Sequence, residues 1–74
     1  MRAKDAHLAE ILSTYDALGD ALLRIDATKI DVPSTSYAYH ELRRAILNLR
    51  KLRTDLWYTR ELISQHGYGP LPQV

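Results

Sequence analysis

Apolar residues step through the first half of the chain at intervals of three and four: Leu8, Ile11, Tyr15, Leu18, Leu22 and Ile25. That spacing is the a/d seam of a helix that faces another helix. Leu12, Leu23 and Ile30 widen the stripe on one flank. The pattern returns as Leu42, Ala45, Leu49, Leu52, Leu56, Thr59 and Ile63, with Ile46 and Trp57 extending it sideways. No proline precedes Pro33 and none lies between Pro33 and Pro70, so both stretches are free to be helical. The pattern predicts a helix over about 2–29, a turn over about 30–35 and a helix over about 36–66. Residues 1–67 then form one hairpin unit, and residues 68–74 read as an extended tail. The expected fold class is all-α: an antiparallel two-helix hairpin, coiled-coil-like, that completes a four-helix bundle by oligomerisation.

Local chemistry marks the ends of these elements. Asp5 and Glu10 sit early in the first helix and Lys29 late, as the helix dipole favours. Pro33 disfavours helix at Val32, and Ser34, Thr35 and Ser36 are all competent N-caps. No Glu or Gln follows three places on, so no capping box selects among them. Gly67 is placed for a left-handed cap after His66. Gly19 lies about 20° from Leu8 on a helical wheel, and an exposed helical glycine costs ~1 kcal/mol against alanine. Its position therefore marks a point of close approach.

Composition sharpens the picture by exclusion. A chain of 74 residues makes one small domain and buries only ~60% of its unfolded surface, which favours association. With no cysteine it has no disulfide, thiol nucleophile or cysteine-based zinc site. No apolar run approaches the ~20 residues of a membrane span, and the N-terminus lacks a secretory apolar core. No membrane partner is expected, and a cytoplasmic location is the default.

More apolar material is present than one seam uses. Ala3, Ala6, Ala9, Ser13, Ala17, Ala21 and Ala27 lie away from the first stripe, either as plain helix formers or as a surface for another helix. Leu47 faces outward and Trp57 sits at the stripe margin. The candidates for partner contact are Leu47, Trp57, Tyr58, Tyr68 and Leu71. Residues 1–33 carry four basic and six acidic side chains, whereas residues 34–74 carry six basic and three acidic. An acidic helix beside a basic one supports antiparallel pairing. If facing residue numbers add to about 65, Arg60 falls near Asp5 and Arg53 near Asp16. Both arginines lie within about 20° of Leu42 on the wheel, so carboxylates of this chain or groups of a partner are expected to meet them.

Candidate chemistry is sparse. Arg43, Arg50 and Trp57 are spaced by seven, as are Arg44, Lys51 and Tyr58. Such rows can track a phosphate backbone through Arg43, Arg44, Arg50 and Lys51, with the aromatics stacking on bases. The net charge of +1 falls short of the usual basic footprint. His7 and His66 can meet at the open end of a hairpin, two ligands where zinc needs three or four. No metal, cofactor or catalytic residue is expected, because none of the four serines has a nucleophile-elbow context and a hairpin offers little concavity. The hairpin shape is similar to the secreted WXG-type helical pairs. Their Trp-x-Gly turn is replaced here by Asp31-Val-Pro-Ser-Thr-Ser36, so the likeness transfers no function. The expectation is a non-enzymatic interaction or structural protein that self-associates or joins a larger protein assembly. Alternatives are a nucleic-acid-associated protein and a small inhibitor docking on a larger enzyme.

Overall fold

A computed structural model describes residues 3–69. Two helices account for nearly all of them, α1 from Ala3 to Asp31 and α2 from Tyr37 to His66. They pack against each other as an all-α pair, and no strand occurs among the described residues. Helix α1 continues two residues past the expected end, because nothing before Val32 opposes it.

The turn resolves the choice among three caps. Ser36 accepts from the Tyr39 backbone N–H at 3.2 Å in extended geometry, as an N-cap does. Its own backbone N–H and hydroxyl both donate to the Pro33 carbonyl, at 3.0 and 2.7 Å, which closes the turn on itself. At the far end the Gly67 N–H donates to the Ile63 carbonyl at 2.8 Å. Gly67 has the positive φ expected of it, 62°, but its ψ of −142° lies outside the left-handed helical well, in a region only glycine enters readily.

In α1 the side chains withdrawn from solvent on the α2 side are Leu8, Ile11, Tyr15, Leu18, Leu22 and Ile25. In α2 they are Tyr39, Leu42, Ile46, Leu49, Arg53, Leu56, Arg60 and Ile63. The second stripe is therefore out of phase with the sequence reading, and Leu52 does not belong to the seam: it is 54% exposed, as Ala45 and Thr59 are exposed beside it. Burying that row would cover one leucine and two small side chains. Burying its neighbour covers Tyr39 and Ile46 and lays the aliphatic stems of two arginines along the seam.

The register also differs. Tyr15 meets Arg53 and Trp57, and Asp26 meets Arg50, so facing numbers add to about 68–76 rather than 65. Helical side chains lean toward their own N-terminus. In an antiparallel pair the two leans oppose, so contacting residues lie further along each helix than level backbones would suggest. Only Leu22 and Ile46 are buried among the described residues, at 8% and 3% exposure. The shortest principal extent is 11 Å, about the width of one helix, so the hairpin is a slab with two open faces.

Candidate interaction face

Arg53 and Arg60 occupy seam positions where a hairpin would ordinarily place aliphatic residues. Arg53 lays its guanidinium 3.9 Å from the centre of the Tyr15 ring and donates through Nε to the Tyr15 carbonyl at 3.1 Å. Gly19 leaves room for the guanidinium. A β-carbon there would lie 2.8 Å from an Arg53 terminal nitrogen. The close approach marked by Gly19 is thus made by an arginine rather than by a second backbone.

Arg60 stands 5.2 Å over the Trp57 ring, and its nearest carboxylate is the adjacent Glu61 at 3.5 Å. Its Nε is buried without a hydrogen-bond partner. Neither arginine finds the carboxylate expected of it: Arg53 is not paired with Asp16, nor Arg60 with Asp5, because both acids lie more than about 100° from the centre of the α1 seam on the wheel and stand exposed. Trp57 in turn packs on Tyr15 with ring centres 5.3 Å apart. An open groove of about 410 Å³ lies here, lined by Tyr15, Leu22, Arg50, Arg53, Thr54 and Trp57.

These contacts fix which helix flanks share a face. Gly19 with Arg53, Asp26 with Arg50 and Tyr15 with Trp57 put the row Leu12, Gly19, Asp26 of α1 beside the row Arg43, Arg50, Trp57 of α2. Leu12, Leu23 and Ile30 lie within about 20° of one another on the wheel, so all three stand on that same face. Leu23 is 72% and Ile30 81% exposed. The opposite face holds His7, Thr14, Ala21, Ala38, Ala45, Leu52 and Thr59, with Leu52 its one large exposed aliphatic. The sequence displayed two apolar flanks separately. The fold makes them one surface.

The remaining candidate residues are dispersed. Leu47 and Tyr58 are exposed, on the outer side of α2. Tyr68 is exposed but not free, since its hydroxyl shares a hydrogen bond with the His7 Nδ1 and the two rings meet edge to face. His7 thus has Tyr68 as its partner at the open end, while His66 is exposed. Leu71 lies outside the described residues.

Of the four basic candidates for phosphate contact, three hold carboxylates. Arg44 donates to both oxygens of Glu41 at 2.6 and 2.7 Å, Lys51 meets Asp55 at 3.2 Å and Arg50 meets Asp26 at 3.4 Å. Arg43 alone has no carboxylate among the described residues. The hydrogen bond and charge of Arg44 hold the Glu41 carboxyl below its ordinary value. No described helix is long and apolar enough to cross a membrane. Comparison with family models, curated proteins and solved structures finds no match for this chain.

Proposed function

We propose that this chain is a non-enzymatic interaction protein whose helical hairpin completes its core by self-association. The observation that carries this reading is the slab itself, one helix thick, with two side chains buried among the described residues. Its accessible surface is 6005 Å², against about 4,700 Å² for a compact folded monomer of this mass. The excess of about 1,300 Å² exceeds the ~800 Å² that each partner contributes to an interface of standard size. Its radius of gyration, 16.5 Å, likewise exceeds the ~11 Å of a compact chain of this length.

Sedimentation equilibrium with far-ultraviolet circular dichroism, run over a wide range of protein concentration, tests the reading. The expected result is a helical species that shifts with concentration to a dimer or tetramer. A well-folded helical monomer at every concentration overturns it.

A further inference from the structure

The two open faces differ in chemistry, and the difference selects one of them. Pointing out of the first face are Asp5, Leu12, Asp16, Leu23 and Ile30 from α1, within about 40° of one another on the wheel. Beside them stand Arg43, Arg50, Trp57 and Glu61 from α2, again within about 40°, with Glu61 held by Arg60. One helix thus presents aliphatic side chains with acids, and the other presents an excess of bases with an aromatic. Such a face is complementary to itself when turned over. The opposite face has small side chains along the seam and an acid on each helix, Glu10 and Glu41, so its two halves are not opposite in charge.

We infer that the occupant of the acid-and-arginine face is a second copy of this chain, seated so that α1 of each copy lies along α2 of the other. The inference rests on the self-association proposed above and adds the face and the arrangement. A two-fold axis parallel to the helices and lying in the interface gives this pairing, whereas an axis across the helices stacks α1 on α1 and sets acid against acid. The parallel axis keeps each level of the hairpin unchanged. By the register of Tyr15 with Trp57, the second copy's Leu23 then comes level with Arg50 and its Asp16 level with Trp57.

Asp16 in that position is one turn from both Arg53, which meets no carboxylate among the described residues, and Arg60, whose Nε has no hydrogen-bond partner. Charged groups taken out of water need such partners. Leu23 and Ile30, 72% and 81% exposed in the free hairpin, then lie along the aliphatic stems of the second copy's Arg50 and Arg43.

The test compares Leu23→Arg with Leu52→Arg, two exposed leucines on opposite faces, by sedimentation equilibrium with circular dichroism. Leu23→Arg is expected to raise the dissociation constant at least about tenfold while leaving the helix signal intact, because a second base then meets Arg50 of the other copy. Leu52→Arg is expected to associate as the unaltered chain does. If Leu52→Arg dissociates the protein and Leu23→Arg does not, or if neither changes association, the face is wrong while self-association stands. If the unaltered chain never associates, both readings fall.

Cross-linking decides the arrangement, and does so even if Leu23→Arg loses helix. The chain has no cysteine of its own, so a tagged Leu23→Cys chain mixed with an Arg50→Cys chain reports the pairing. Disulfide between the two different variants is expected in excess. Dominant Leu23→Cys homodimer puts α1 on α1 and overturns the proposal.

Discussion

Toward the turn the seam is aliphatic, with Leu22, Ile25, Leu42, Ile46 and Leu49 withdrawn from solvent and the Ser36 cap fixing where α2 begins. Toward the open end it changes character: Arg53 lies on Tyr15, Trp57 packs against Tyr15, and Arg60 lies over Trp57, between Leu8 and Ile11 on one side and Leu56 and Ile63 on the other. Both buried residues of the described chain belong to the first half. Aliphatic side chains gain by excluding water, so that half holds the hairpin closed. Guanidinium groups on aromatic faces are content half-wetted, and they keep donors in reserve. The two halves therefore divide the work: one makes the fold, and the other leaves chemistry available to a neighbour.

The comparison breaks most directly at Ile46. Ile46→Ala removes a side chain that is almost wholly enclosed and is expected to destabilise by about 2–4 kcal/mol in chemical denaturation. Leu52→Ala, six residues further along α2, should cost under about 1 kcal/mol, because that leucine stands half in water. Equal effects would mean that α2 is rotated from the phase described here, with Leu52 back in the seam.

A smaller effect is expected at the open end. Arg53→Met keeps an unbranched stem in the seam, loses one hydrogen bond and the contact with Tyr15, and relieves the desolvated guanidinium. The apolar stem that remains offsets part of the lost hydrogen bond and ring contact, so the dilute hairpin should lose no more than about 1 kcal/mol in a denaturant titration. Association, measured separately at higher concentration, should weaken. A hairpin that unfolds on this change would place its stability in the open half and reverse the division of labour.

How far these features were legible in the sequence differs between the helices. The first stripe contains only large apolar side chains, and any heptad reading finds it. The second offers two adjacent rows, Ala45-Leu52-Thr59 and Ile46-Arg53-Arg60, each with one aliphatic residue that argues for burial. Residue type favours the first row, since arginine is rarely a seam residue. What decides it is that an arginine can bury its stem and satisfy its head locally, with Tyr15 opposite as its partner and Gly19 leaving it room. Such pairing across the turn depends on register, and register depends on where the turn ends and how side chains lean. A glycine close to one stripe and arginines close to the other were the available signals. Read together, they point to the contact the structure contains.

The smallest effect tests how little the basic run contributes to the fold itself. Glu41 and Arg44 are neighbours on α2 at a spacing of three, and both side chains are more than two-thirds exposed. The Glu41 carboxyl is held below its ordinary value, first by the hydrogen bond from Arg44 and then by its charge. A carboxyl whose value is lowered in the folded state contributes above its unfolded value and loses that contribution as pH falls through the folded one. Melting curves of the unaltered chain and of Glu41→Gln should therefore differ only slightly at neutral pH and converge in acid. Added salt should narrow the difference further, since exposed pairs are screened. A large gap at neutral pH that survives salt would show that Arg44 and Glu41 are enclosed in solution. The outer side of α2, rather than the face that carries Leu23 and Trp57, would then be the surface that a second copy covers.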